Sequence, residues 1–224
     1  MIKNKPIIVG IDEAGRGPVI GPLVMAALAV DADGEQKLKW LGVKDSKLLS
    51  SQVREELFDR IHEIVLDFRI EVIEPDAIDL SLQSATSNLN WLEADTAASM
   101  ITELHPDKII IDCPSVNIKS YTAYLLRKLP ANLQKAQFLI EHKADVNHIS
   151  VAAASVVAKV IRDKYIDHYK TEIGIDFGSG YMSDPKTQDF LEKYHDKYPD
   201  LFRKGWRSFK DVEDLKKQKK LGEF

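Results

Sequence analysis

The stretch that decides the fold is IIVGIDEAGRGP, residues 7–18. Its apolar beginning, Ile7 to Ile11, predicts a short buried strand, because it is too short and too closely bounded by glycine for a helix. Asp12 and Glu13 stand side by side where this strand ends, and a Gly-Arg-Gly-Pro turn follows them. A buried charge is costly unless something pairs with it. The two acids are therefore either an ordinary solvated strand end or part of a site.

The composition is that of a folded globular protein. The chain has 224 residues, of which 44% are hydrophobic and 29% are charged. Its single cysteine, Cys113, excludes an internal disulfide, so a reducing cytoplasm is the expected compartment. The first residues lack the apolar stretch of a signal peptide, and the apolar segment 19–30 is too short to span a membrane. The net charge of -4 does not by itself indicate or exclude a nucleic-acid partner.

Strands and helices alternate along the sequence. Short apolar or alternating runs predict strands at residues 7–12, 22–30, 68–73, 108–112 and 137–142. Apolar residues at helical spacing predict helices in SSQVREELFDRIHEIV, SNLNWLEADTAASMITELH, NIKSYTAYLLRKL and HISVAAASVVAKVIRDKYIDHYK. Asp184 and Pro185 are typical of the start of one more helix. This order predicts an α/β domain over residues 1–184 and a helical C-terminal extension over residues 185–224.

Three of the predicted strands each deliver carboxylates at or just beyond their carboxyl ends. Asp12 and Glu13 close the first strand, Asp112 closes KIIID, and Asp145 follows QFLIEHKA. Ligands bind at this edge in open α/β sheets, and four carboxylates there would repel one another unless protonated or bridged by cations. Hard ions such as Mg²⁺ take oxygen ligands. The set is typical of a metal site, although each acid alone is also typical of a solvated surface.

Other site chemistries find no support in the sequence. The phosphate-binding pattern GxxxxGK[ST] is absent, GIDEAGRG lacks the glycine spacing of a dinucleotide site, and no histidines form HExxH. Cys113 is interpreted as a small core residue at a strand end rather than as a nucleophile.

Five blocks of the sequence resemble type 2 ribonuclease H, the ribonuclease HII family. They are GIDEAGRGPVIGPLVMAA, KDSK, IIIDCP, EHKADVNHISVAAASVVAKVIRDKY and GSGYMSDPKT. The segment RKGWRS around Trp206 is similar to the archaeal branch of that family. The resemblance implies a ribonuclease H-like fold, with a mixed five-stranded sheet flanked by helices. It also implies a metal-dependent endonuclease that cuts RNA in RNA/DNA hybrids and at single ribonucleotides embedded in duplex DNA.

The resemblance assigns catalysis and metal binding to the same four acids: Asp12, Glu13, Asp112 and Asp145. It implies two divalent ions per site, Mg²⁺ or Mn²⁺, which position a water and stabilise the leaving oxygen. The implied products carry 5′-phosphate and 3′-hydroxyl ends. The implied roles are the removal of ribonucleotides and of RNA primers from DNA.

Substrate-binding residues also follow from the resemblance. The turn Gly15-Arg16-Gly17 is expected to read the ribose 2′-hydroxyl at an RNA–DNA junction, mainly through its backbone. Tyr181 is expected to stack on the following deoxyribose, and Lys47 of KDSK to approach a phosphate. A semi-buried aromatic residue and an exposed lysine are the plain alternatives for these two.

The tail QKKLGEF, residues 218–224, contains three residues about one helical turn apart: Gln218, Leu221 and Phe224. This spacing resembles the short motif by which replication and repair enzymes dock on the sliding clamp. One terminal aromatic residue, where strong motifs carry two, predicts weak binding. A frayed chain end is the alternative.

Two other interpretations are considered. A type 3 ribonuclease H shares the core but carries an N-terminal substrate-binding domain, for which the residues before Ile7 leave no room. An inactive hybrid-binding or clamp-adaptor module would not need all four acids. We expect a monomer that acts on RNA/DNA hybrids and has no membrane partner.

Overall fold

The computed structural model describes residues 5–43 and 50–221. Its strands are β1 (Ile8–Ala14), β2 (Leu23–Val30), β3 (Asp67–Ile73), β4 (Lys108–Asp112) and β5 (Gln137–Glu141). They form one sheet in the order β3-β2-β1-β4-β5. β1 runs antiparallel to β2 and parallel to β4, and β4 runs parallel to β5. The predicted mixed five-stranded sheet is confirmed.

The helices of the described residues are α1 (Ala32–Leu41), α2 (Ser51–Ile64), α3 (Pro75–Gln83), α4 (Leu89–Leu104), α5 (Ile118–Lys128), α6 (Ala144–Asn147), α7 (Ile149–Ile173), α8 (Pro185–Tyr194) and α9 (Arg207–Leu221). The five helices predicted from spacing or capping are α2, α4, α5, α7 and α8, and all five are confirmed. The segments α1, α3 and α6 were not predicted to be helical. α8 and α9 lie in the predicted helical extension.

The chain folds into two compact units. The first comprises Met1–Ala14, Val24–Val72 and Asn90–Ile161, and the second comprises Gly15–Leu23, Ile73–Leu89 and Arg162–Phe224. The functional division predicted at residue 184 stays a prediction.

Each unit has its own apolar core. In the first, every residue of β2 is buried, which explains the continuous apolar run LVMAALAV, and alanines and valines of α7 pack against this sheet. In the second, the core is aromatic and includes Phe177, Phe190, Phe202 and Phe209. The small residues of α7 let the helix lie close to the sheet, and this position matters for the carboxylates described next.

Candidate active site

Three carboxylates meet at the carboxyl edge of the parallel strands of the first unit. Asp12 lies in β1, Asp112 is the last residue of β4, and Asp145 lies in α6, just after β5. Each offers one oxygen, and the three oxygens all lie within 4.8 Å of one another. Asp12 and Asp145 are only 5% and 4% exposed. Carboxylate oxygens gathered in this way suit a hard divalent cation.

The local fold explains why these three acids converge. β1 and β4 are parallel and paired as far as Ile11 and Ile111, so Asp12 and Asp112 are the next residue of each strand. After β5 the chain turns sharply at Lys143, which has a left-handed φ of 61°. The backbone N–H of Ala144 then donates to the Asp112 carboxylate at 3.3 Å. This bond fixes the start of α6 beside β4 and so brings Asp145 to the cluster.

A glycine in β1 sets the distance to α7. A Cβ at Gly10 would lie only 2.4 Å from the carbonyl carbon of Ser150, so a larger residue cannot occupy this position without displacing α7. Further along the same helix, the Ser155 hydroxyl hydrogen-bonds to the Asp12 carboxylate. Sequence reasoning missed Ser155.

Burial and neighbouring negative charges disfavour the ionised form of Asp12. The pKa of Asp12 is raised from 3.8 to about 7, chiefly by burial and in addition by the charges of Asp112 and Asp145. Hydrogen bonds from Ser155 and from the backbone N–H of Glu13, the latter at 2.7 Å, act in the opposite direction. A cation at this position would remove the repulsion, so the donor set fits a divalent metal ion.

Among the described residues, the group of three close oxygens does not include Glu13. Successive residues of a strand face opposite sides of the sheet, and Glu13 pairs with Met25 of β2 whereas Asp12 pairs with Ala26. The charge of Glu13 contributes to the raised pKa of Cys113, whose largest cause is burial of the thiol. The assignment of Glu13 as a metal ligand stays a prediction.

The predicted junction-reading residues lie together in the second unit. Gly15 has a φ of +82°, and a Cβ there would lie 2.6 Å from the carbonyl oxygen of Pro22, so the turn requires glycine. Gly17 is exposed, and a Cβ on it would lie 3.7 Å from Cε1 of Tyr181. The Gly15-Arg16-Gly17 turn and the Tyr181 ring are therefore immediate neighbours.

Arg162, a residue of α7 that sequence reasoning missed, supports the tyrosine. Its guanidinium carbon lies 5.2 Å from the centre of the Tyr181 ring, in a cation–π contact. Its side chain is 2% exposed, and one terminal nitrogen donates to the carbonyl of Ser179 at 2.7 Å. The only signal in the sequence is an arginine that directly follows the largely apolar segment VAAASVVAKVI.

The start of α8 shapes the loop that carries Tyr181. The Asp184 carboxylate accepts from the backbone N–H of Ser179 at 2.7 Å. The Thr187 hydroxyl accepts from the backbone N–H of Gly180 at 3.0 Å. The block GSGYMSDPKT therefore combines the loop and the side chains that hold it.

The remaining predicted residues are only partly described. Lys47 and Phe224 lie outside the described residues. Gln218 is exposed on α9, and Leu221 is the last residue of that helix. No described helix is long and apolar enough to cross a membrane.

The mixed five-stranded sheet with its flanking helices is a ribonuclease H-like fold. The sequence matches the family model for ribonuclease HII over residues 9–209. It is 44% identical to ribonuclease HII of Thermococcus sibiricus over 216 residues, which cover 94% of this chain and 93% of the relative. The chain therefore belongs to the ribonuclease HII family and is a ribonuclease H endonuclease acting on RNA/DNA hybrids.

Solved structures agree with this assignment. The ribonuclease H2 of Pyrococcus horikoshii superposes with a TM-score of 0.82 at 37% identity, covering 93% of this chain and 98% of that one. The ribonuclease HII of Archaeoglobus fulgidus, solved in complex with PCNA, gives a TM-score of 0.80 at 36% identity, with coverages of 92% and 96%. The expected archaeal-like ribonuclease HII is thus confirmed.

Proposed function

We propose that this ribonuclease HII cuts at single ribonucleotides embedded in duplex DNA as well as in long hybrids. The observation that carries the proposal is the closeness of the Gly15–Gly17 turn to the Tyr181 ring, which a Cβ on Gly17 would meet at 3.7 Å. Backbone groups of a glycine turn can approach a sugar closely and bond to its 2′-hydroxyl. The neighbouring ring can pack on the next sugar, which in this substrate is a deoxyribose. Lys47 is proposed to approach a phosphate of the same strand.

Asp12, Asp112 and Asp145, with Glu13 as a fourth ligand, are proposed to hold two Mg²⁺ or Mn²⁺ ions. The fit rests on the three close oxygens and on the raised pKa of Asp12, which a cation would lower. When bound, such ions supply an activated water and stabilise the leaving 3′ oxygen. The Ser155 hydroxyl orients the Asp12 carboxylate by its hydrogen bond. The expected products carry 5′-phosphate and 3′-hydroxyl ends.

A cleavage assay on defined duplexes tests this function. We expect a DNA duplex with one ribonucleotide to be cut at that position in Mg²⁺ or Mn²⁺ and to remain intact in a chelator. Mass spectrometry of the fragments should show 5′-phosphate and 3′-hydroxyl ends. An all-DNA duplex is the control. Cleavage of a long hybrid without any cleavage at the single ribonucleotide would refute the junction-reading proposal.

The tail is proposed to dock on a sliding clamp. The support is the Gln218, Leu221 and Phe224 spacing together with the Archaeoglobus fulgidus enzyme, which has been solved in complex with PCNA. Deleting residues 218–224 should abolish binding to the cognate clamp in a titration and leave hydrolysis of a short free duplex unchanged. Equal clamp binding by the full-length and shortened chains would contradict this proposal.

The cellular setting follows from these activities. We propose that the protein acts in the cytoplasm as a monomer and removes ribonucleotides and RNA primers from DNA.

A further inference from the structure

Arg203 is a fully buried cation that binds the carbonyls of the Gly15-Arg16-Gly17 turn. Its exposed fraction is 0%. Its terminal nitrogens donate to the carbonyls of Gly15 at 2.5 Å and of Arg16 at 2.9 Å, and its Nε donates to the carbonyl of Gly21 at 2.9 Å. Since a planar guanidinium presents its donors in a fixed fork, one side chain fixes three carbonyl directions at once.

Trp206 binds the third carbonyl of the turn. Its indole Nε1–H donates to the carbonyl of Gly17 at 3.1 Å. The Arg203 guanidinium lies 5.0 Å from the centre of the Trp206 ring, in a cation–π contact. All three carbonyls of the turn are thus bound by two side chains of one short segment, residues 203–206.

The geometry of the peptide bond gives this arrangement a consequence. In a trans peptide the C=O and the following N–H point in opposite directions. Because the carbonyls of Gly15 and Arg16 point at Arg203, the N–H groups of Arg16 and Gly17 point away from it. The next peptide belongs to Pro18, which has no N–H. The turn therefore presents two successive N–H groups on its outer side, where Gly17 is exposed.

The segment that carries Arg203 and Trp206 is itself held in place. The carboxylate of Asp79, a buried residue of α3, accepts from the backbone N–H groups of Lys204 at 2.7 Å and Gly205 at 2.8 Å. The backbone N–H of Arg203 donates to the carbonyl of Val19 at 2.9 Å. The arginine therefore projects from a fixed backbone.

We propose that Arg203 and Trp206 are positioning residues for ribose recognition. They hold two peptide planes of the turn so that the N–H groups of Arg16 and Gly17 face the 2′-hydroxyl. This inference rests on the proposed role of the turn in reading that hydroxyl. It adds that the reading depends on a C-terminal segment that makes its contacts from behind the turn.

Three variants separate positioning from bulk structure. Trp206→Phe keeps an aromatic ring, though a smaller one, and removes the one N–H donor. Arg203→Lys keeps the charge but loses the planar fork, and Arg203→Met loses both. The matched control is Arg54→Met, which removes a buried arginine of α2 in the other unit.

Two readouts are measured on each full-length variant that folds by circular dichroism. The first is the backbone ¹⁵N order parameter of Arg16 and Gly17 in the free protein. The second is the ratio of affinities, in a chelator, for a duplex with one ribonucleotide and for the same duplex in DNA. We expect that ratio to fall by about threefold in Trp206→Phe and about tenfold or more in the Arg203 variants, the sizes of one and of two lost hydrogen bonds. Arg54→Met should leave the order parameters and the affinity ratio unchanged.

The outcomes are distinguishable. An unchanged order parameter of the turn in Arg203→Lys and Trp206→Phe would overturn the positioning inference, even where melting temperatures fall. A loosened turn with an unchanged affinity ratio would overturn the proposed role of the turn in reading the 2′-hydroxyl and leave the positioning contact standing. If Arg203→Met does not fold, the other two variants decide the question.

Discussion

Replacing Asp12 by asparagine should stabilise the metal-free protein at alkaline pH. The carboxylate is buried beside Asp112 and Asp145, and its pKa is raised to about 7. Asparagine has nearly the same shape and keeps an oxygen to accept the hydrogen bond from the Glu13 N–H, 2.7 Å in the wild type. The substitution therefore removes a charge while leaving this local contact in place.

The magnitude follows from the pKa of Asp12. The difference between 3.8 and about 7 means that ionised Asp12 lowers the free energy of unfolding by at most about 4 kcal/mol, at about 1.4 kcal/mol per pH unit. We expect about 2 kcal/mol to be measured, because relaxation of the surroundings and entry of water reduce the cost of a buried charge.

The sign of the pH dependence is fixed by the direction of the pKa change. Between the unfolded value of 3.8 and about 7, the folded protein holds a proton that the unfolded chain releases. The free energy of unfolding of the wild type therefore falls as pH rises through this window and levels off above it. Asp12→Asn lacks this contribution, so its advantage should be absent near pH 4 and complete above about pH 8.

The assay is urea unfolding followed by circular dichroism in a chelator, at several pH values across this window. Asp59→Asn, which removes an exposed carboxylate from α2, is the matched control and should leave the free energy of unfolding unchanged at every pH. Adding Mg²⁺ should make the wild type more stable than Asp12→Asn, since the wild type then gains more stability by binding the ion than the variant does. An Asp12→Asn protein that is no more stable than wild type at alkaline pH would refute the account of a desolvated, mutually repelling cluster.

Three further predictions concern the carboxylates, Tyr181 and Gly10. Asp145→Asn and Asp12→Asn should each nearly abolish cleavage in Mg²⁺ while circular dichroism stays unchanged; near-normal turnover by Asp12→Asn would contradict the metal assignment. Tyr181→Ala should reduce kcat/KM at a single embedded ribonucleotide more than on a long hybrid, because a long hybrid offers many registers and phosphate contacts; equal losses would make Tyr181 merely structural. Gly10→Ala should lower the free energy of unfolding by about 1–3 kcal/mol, because its Cβ would overlap the Ser150 backbone; an unchanged urea midpoint would contradict this close packing of α7 on β1.

The sheet could be predicted because its strands carry strong local signals. β2 is a continuous apolar run, and β4 contains three successive isoleucines closed by Asp112. The unpredicted helices have weaker patterns. α1 buries only Gly34 and Leu38, so Leu38 is the one apolar side chain of its buried face and no apolar pattern repeats along it. α3 has a proline at its start after Glu74, which is a helix-start signal that could have been used.

The acid triad could be predicted for a different reason. Parallel strands bring their carboxyl ends to one edge, so acids that follow such strands are expected to meet even though they are far apart in sequence. Glu13 could not be placed in this way, because adjacent residues of one strand face opposite sides.

Arg203 shows what a single sequence does not reveal. Its partners lie 182 to 188 residues earlier in the chain, and nothing in the local pattern RKGWRS distinguishes the buried Arg203 from the exposed Arg207. Because Arg203 is buried, it needs these partners: a buried arginine without carbonyl acceptors would strongly destabilise the fold. The carbonyls of the turn therefore stabilise the arginine as much as the arginine holds the turn. A glycine-rich turn, which by itself has many accessible conformations, is thereby held in one, and the proposed recognition of a single 2′-hydroxyl requires that order.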